Sequence, residues 1–512
     1  MIDEESFPTK TKSFIKSHET KIVFFLAVIA AVRIFLLSSA FHFFNDVDEW
    51  AHFDLVYKYS RGYLPHKGND LHDPESSRII ITYASPEYLR SPESFRRNKI
   101  PPPLWTAGQD KVNARVERML PGWTKTSNHE AFSPPVYYAI AGMWYKIGEF
   151  IGLEKGNLLY WLRFLNVLAY FSLVWCAYFF IRKFYPGNTF IIIAVPIMLA
   201  VFPQDVFYSI NSDVLSPLFF TLSLYYLLSL CLSESVSLKY YFIAGIVTAL
   251  TFLIKYSNVA IIGIFIFVLF HLMRKFYNSE NQKKDAYKLL LLISSVALPI
   301  ILWHLRNYIV LDDIMGTSGK IELLGWRVKP FGEILHHPIF SPKGFVYFWD
   351  ELTKTYCCGE LTWHAKELSS KSFDLFYTAS SFVFISISLI SSLKKWGNKR
   401  DTKAYRFVNG SNFFVLFLSI AFLIFLSMYF DFGDSHYPSR DYPYMCSGRL
   451  ISGSLIPFLI LYIDGIHVIL KRCSNLLYPF IVVLIIISLI TYSEISLNAP
   501  VFESQYNWFH LP

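Results

Sequence analysis

Eleven apolar blocks, most of them about 18 to 22 residues long, recur along this chain, and that length is the reach of a helix across the hydrocarbon core of a bilayer. They fall at 22–41, 160–181, 189–204, 214–232, 240–254, 258–273, 287–308, 373–393, 411–430, 450–470 and 475–492. The strands of an outer-membrane barrel would be about half as long and would alternate apolar with polar residues. Composition agrees: 53% of the residues are hydrophobic and only 17% are charged, a balance that a water-soluble chain of this length does not carry. The expected fold class is an all-α integral membrane protein, a bundle of about eleven transmembrane helices. The first block is long and lacks a small-residue cleavage site, so it should remain as the first of them. No internal repeat is present, which gives inverted-repeat transporter architecture no support.

A further apolar stretch, 135–151, decides the topology. If it crosses, the chain makes twelve passes and Arg182-Lys183 lands on the face opposite the basic N-terminal tail, inverting the charge bias thereafter. If it lies along the surface or re-enters, then Arg182-Lys183, Lys239, Arg274-Lys275, the run from Lys394-Lys395 to Arg406, and Lys471-Arg472 all share the side of the basic tail, as the positive-inside rule requires. The second arrangement is expected. It gives a cytoplasmic tail (1–21), an N-terminal transmembrane catalytic module (22–308) that includes an extracytoplasmic loop (42–159), a second extracytoplasmic loop (309–372), C-terminal transmembrane helices (373–492) and an extracytoplasmic tail (493–512). The net charge of +8 is explained by this sorting, so no nucleic-acid partner is expected. Six cysteines, at 176, 231, 357, 358, 446 and 473, form no CxxC pair. Cys357, Cys358 and Cys446 could pair only on an oxidising side.

Three polar clusters reach the outer face where apolar spans end. Asn45-Asp46-Val47-Asp48-Glu49-Trp50-Ala51-His52 follows the first span, Asn128-His129-Glu130 precedes Pro134-Pro135-Val136-Tyr137-Tyr138, and Asn211-Ser212-Asp213 links two spans. Each alone reads as a helix cap. Together they gather carboxylates at the headgroup plane, where a carboxylate can deprotonate a hydroxyl or hold a divalent cation. Asp48, Glu49 and Asp213 are the candidate catalytic residues. His52, Glu130, Tyr137, Lys255, Arg306 and Arg449 are the candidate substrate contacts, the cations because they can grip a phosphate. Asp48, Glu130 and Asp213, with His52 or His129, would suit Mg²⁺, Mn²⁺ or Zn²⁺, the one cofactor expected. Arg33, midway along the first span, should face a buried acid or a water-filled cavity. Trp144, Tyr145, Trp161, Tyr308 and Trp363 read as an interfacial belt.

The order of these motifs resembles the GT-C type of polytopic membrane glycosyltransferases, in particular the broad group of predicted-glycosyltransferase membrane proteins related to the lipid A aminoarabinose and protein mannosyl transferases. The matching stretches are Asp48-Glu49-Trp50-Ala51-His52-Phe53, Pro134-Pro135-Val136-Tyr137-Tyr138, Pro203-Gln204 with Asn211-Ser212-Asp213, Arg306-Asn307, and Gly448-Arg449. Leu450 departs from the aromatic that usually follows Gly-Arg. The resemblance implies transfer of a sugar from a polyprenyl-phosphate-linked donor to an envelope glycan, lipid or protein, by an inverting displacement on the extracytoplasmic face with Asp48 as base. The absence of an Asn-x-Ser/Thr sequon from every outer loop leans toward a bacterial inner membrane. The rival expectation is a transporter or flippase for a lipid-linked saccharide, in which the ionisable residues would line a path at mid-membrane.

Overall fold

In the computed structural model, which describes residues 9–66, 70–233, 236–277, 282–396, 403–435, 437–470 and 477–511, the apolar blocks fold as helices at the expected places. Residues 1–8 of the tail, 397–402 of the basic run, Lys471-Arg472 and Cys473 lie outside the described residues. Among the described residues, nine helices are long and apolar enough to cross a membrane: Ser17–Ala40, Lys155–Phe184, Ser212–Leu232, Tyr256–Tyr277, Gln282–Leu311, Lys371–Lys394, Ala404–Tyr429, Gly448–Leu470 and Tyr478–His510. Thr189–Ala200 and Leu238–Ile254 are shorter apolar helices at the two remaining positions. At about 1.5 Å per residue, the 12 residues of Thr189–Ala200 fall well short of a bilayer core of about 30 Å. Ten of them are buried in protein, so its ends need no lipid-facing backbone. The chain is an all-α membrane protein. Among the described residues, the short strands form only two-stranded pairs in the loops, Arg327–Val328 with Phe430–Asp431 and Thr362–Trp363 with Lys366–Glu367.

The 135–151 stretch is the 16-residue helix Pro135–Phe150, which is absent from both sets of apolar helices. Lys146 and Glu149 make an ion pair on it, and Gly142 lies against the backbone of Tyr59 and Ser60. On its other side Trp144 and Trp161 stack at 4.1 Å and each indole N–H donates to the other's carbonyl. These two tryptophans therefore pack helix to helix. Trp363 is buried.

The first large loop is built from helices Glu49–Ser60, Pro74–Tyr83, Gln109–Trp123 and Pro135–Phe150. Pro74–Tyr83 begins where Asp73 accepts the backbone N–H groups of Glu75 and Ser76 and Pro74 takes the first helical position. A buried ion network fixes this helix and the chain around residue 128 to Glu49–Ser60. In it Asp54 accepts from Asp73 N–H at 2.8 Å and from Asn128 Nδ2 at 2.7 Å, and it pairs with Lys58 at 2.9 Å.

Arg33 finds the buried acid expected of it: its guanidinium lies 3.3 Å from Glu494, donates to the Phe202 carbonyl, and shares Glu494 with the Tyr208 hydroxyl. A second buried cation sits in a span. Arg163 is fully buried and pairs with Glu49. Cys357, Cys358 and Cys446 carry free thiols, so no disulfide forms among them.

Candidate functional site

Each of the three polar clusters turns on the same local device. The Asn45 side-chain carbonyl accepts the Val47 N–H at 2.9 Å, that of Asn128 accepts the Glu130 N–H at 2.8 Å, and that of Asn211 accepts the Asp213 N–H at 2.9 Å. Asparagine bonds its own backbone two residues on more readily than most residues; Asn128 and Asn211 thereby cap the turns that follow them, while Asn45 bonds Val47 ahead of the helix Glu49–Ser60. The Glu130 and Asp213 carboxylates are thereby released. Asp48 occupies the N-cap position of Glu49–Ser60 in the left-handed region (φ 62°), yet its side chain caps nothing. A non-glycine residue held at positive φ is a strained position that the surrounding structure maintains.

Arg449 gathers the freed groups. Its Nε lies 3.1 Å from Glu360, one terminal nitrogen 3.3 Å from Asp48 and the other 3.6 Å from Asp213. Gly448 permits this, because a Cβ there would stand 2.2 Å from the Tyr356 nitrogen. The backbones of 448 and 355–356 touch, and Gly448 N–H donates to Thr355 Oγ1 at 2.9 Å. We expect Gly448→Ala to force these segments apart at about 1–3 kcal/mol, as overpacking does. The matching readout is a lowered melting temperature of the detergent-purified protein. Asp213 is fully buried, accepts from Lys255 Nζ at 2.6 Å, and leaves Oδ1 with no protein donor among the described residues.

On the other flank, His129 Nε2 lies 3.2 Å from Asp48 Oδ1 and 3.8 Å from Glu130 Oε1. Glu130 also takes Lys320 Nζ at 2.6 Å and the Tyr138 hydroxyl at 3.2 Å. His52 stands behind it, buried, with Nδ1 2.8 Å from the Tyr138 hydroxyl and 3.9 Å from Glu130. One ligand atom each from Asp48, His129 and Glu130 lies within 4.8 Å of the others. Two carboxylates and an imidazole form a donor set that fits Mn²⁺ or Zn²⁺. Asp213 is not in this group; its place is taken by His129.

Three of the residues expected at the site stand elsewhere. Glu49 is fully buried and saturated: it pairs with Arg163 at 2.8 and 2.7 Å and accepts the N–H groups of Phe44 and Ile210, both at 2.8 Å. It ties the 44–49 turn to the 205–213 turn and offers no oxygen to the cleft. Tyr137 is buried beneath that same turn. Arg306 donates to the Pro65 carbonyl and to Asn307 and lies over the Trp303 ring at 5.2 Å, with no contact to the Asp48 or Asp213 clusters. Glu360, Lys320 and Arg163 were not singled out from the sequence. Arg163 carried a usable signal, since a charge inside an apolar span marks a buried partner, as it did for Arg33. Glu360 and Lys320 are ordinary loop residues until the fold brings them in.

The field at the site separates the carboxylates. Burial pushes Asp48 up, but the hydrogen bond from His129 and the charge of Arg449 hold it well below the usual carboxylate range. Burial likewise opposes ionisation of Glu130, and the charge of Lys320 above all outweighs it, so Glu130 also lies well below that range. Burial lowers His52 to about 3, which keeps it neutral at physiological pH. Asp205 goes the other way. Burial raises it from 3.8 to about 8, with Glu360 and Asp46 adding and the donated N–H groups of Leu361 and Glu360 opposing. A raised carboxyl stabilises the fold fully at low pH, and that contribution is lost as pH rises through about 8. The melting temperature should therefore fall between pH 5 and pH 8 by an increment that Asp205→Asn abolishes; an unchanged slope in the variant would refute it.

Residues 30–435 match the family described as "Predicted membrane protein (DUF2142)". No curated protein matches the chain. Among solved structures, the chain is similar to the apo form of an oligosaccharyltransferase from Archaeoglobus fulgidus, with a TM-score of 0.46 and 10% identity over 93% of this chain. The chain spans 56% of that protein's length.

Proposed function

We propose that this chain, which belongs to the DUF2142 family of predicted membrane proteins, is a membrane glycosyltransferase that moves a sugar from a polyprenyl-phosphate-linked donor to an envelope glycan, lipid or protein on the extracytoplasmic face of a bacterial inner membrane. The reading is carried by one observation: Arg449 joins carboxylates from three separate segments around a partly exposed Asp48, just where apolar spans give way to polar loops. A polyprenyl donor needs such a boundary, since its tail requires the bilayer while its phosphate and sugar require charge.

In this mechanism Asp48 accepts the proton of the acceptor hydroxyl, the acceptor oxygen bonds to the anomeric carbon, and the bond from that carbon to the phosphate oxygen breaks, leaving its electron pair on the phosphate. A single displacement inverts the anomeric centre. Held between His129 and Arg449, Asp48 is a weak base. A donor phosphate competes for Arg449, and as Arg449 turns to it Asp48 loses a neutralising partner and gains basicity. Lys255 follows the same logic on Asp213. Asp48 Oδ1, His129 and Glu130 would hold a divalent cation, which would supply positive charge to the leaving phosphate, while Asp48 Oδ2, the oxygen that faces Arg449, takes the acceptor's proton. The flippase reading loses its best residue, because Arg33 is closed off by Glu494, Tyr208 and the Phe202 carbonyl.

Proteoliposomes loaded with radiolabelled polyprenyl-phosphate sugars and given envelope acceptors test the reading. Label should move to the acceptor as free polyprenyl phosphate appears. Translocation of intact donor without transfer would establish the flippase instead.

A further inference from the structure

Lys320 belongs to the short helix Ser318–Leu323, none of whose residues is buried. The helix packs on the 129–132 turn, and its lysine reaches into the site to Glu130 Oε1, the oxygen that lies 3.8 Å from His129 Nε2. The ammonium thus engages the same Glu130 oxygen that a cation shared with His129 and Asp48 would use. With Lys320 present, the four carboxylates Asp48, Glu130, Asp213 and Glu360 face three cations, Arg449, Lys255 and Lys320. Without it they face Arg449 and Lys255 alone, and the excess of two negative charges is what one divalent cation balances.

The segment is arranged to let go. Its flanks are fastened, with His304 bonded to the Ile314 carbonyl at 2.8 Å and the Trp326 indole donating to Ser435 at 2.9 Å. Between these anchors Gly316 (φ 68°) and Gly325 (φ 69°) bracket the helix, and since Ser318 is bonded to Asp313 at 2.7 Å the helix pivots about its first residue, with Gly325 as the yielding end. The ion pair is well placed to hold the helix down, because Lys320 is 32% exposed while Glu130 is only 5% exposed.

We propose that Lys320 and a divalent cation are alternative occupants of the Asp48–His129–Glu130 site, and that Ser318–Leu323 lifts from the site when the cation enters. This rests on the metal part of the function proposed above. It makes Lys320 a tethered placeholder that neutralises the carboxylates until metal displaces it.

The test is Mn²⁺ binding to the full-length protein in detergent, read by the electron paramagnetic resonance of free Mn²⁺. Lys320→Gln should bind about tenfold more tightly than wild type or better, a change of about 1.4 kcal/mol. Glu130→Gln should bind more weakly, and hydrogen exchange across 318–323 should speed up when Mn²⁺ is added to wild type. Equal affinity in wild type and Lys320→Gln, or unchanged exchange on binding, would overturn the competition while leaving the metal site standing. Binding that survives Glu130→Gln, or no binding to any form, would overturn the metal site as well; sugar transfer and its dependence on Asp48 are measured separately.

Discussion

Glu49→Ala is expected to leave little folded protein, with about 3–5 kcal/mol of stability lost, as follows when one partner of a buried ion pair is removed. Arg163 would then be a lone charge with no water to reach. The damage spreads because the pair is a junction. Arg163 also donates to the carbonyls of Ser38, Phe41 and His42 at the end of the first span, and Glu49 accepts N–H groups from both the 44–49 and the 205–213 turns. Loss of monodisperse protein on fluorescence-detected size exclusion is the readout. The double variant Glu49→Leu/Arg163→Leu should recover part of the loss, since no charge is then stranded. It should not recover all of it, because the three carbonyls lose their donor at about 1–3 kcal/mol for each buried group left unpaired. A Glu49→Ala protein that extracts and melts like wild type but transfers no sugar would make Glu49 a chemical participant after all.

Adjacent carboxylates with opposite fates mark the limit of what the sequence can tell. The spans were legible because bilayer thickness imposes a length and a composition on each of them. The three clusters were legible because each pairs an asparagine with an acid at the end of a span or helix. Which acid of Asp48-Glu49 turns inward was not legible. The backbone at Asp48 adopts φ 62°, and that turn sends Glu49 into the core against Arg163 and leaves Asp48 toward the cleft. No periodicity anticipates a left-handed aspartate. Glu360 and Lys320 come from the 309–372 loop, whose ordering depends on contacts distant in sequence, such as the Glu360 and Leu361 N–H groups on Asp205. Arg306 misled for the opposite reason: a cation at a helix end signals a phosphate contact and a snorkelling side chain equally well, and here it packs on Trp303 and the Pro65 carbonyl.

The measurement closest to the central claim compares wild type with Asp48→Asn in the proteoliposome transfer assay. The change is isosteric and keeps an oxygen for Arg449, so the variant should fold, with a melting temperature lowered only by the loss of the charge that His129 and Arg449 hold. Its amide cannot accept the acceptor's proton, and removal of a positioned base lowers rates by about 10²–10⁴-fold. Transfer of label and release of polyprenyl phosphate should fall together by at least about 100-fold, with donor binding retained. Transfer by Asp48→Asn at the wild-type rate would contradict the claim.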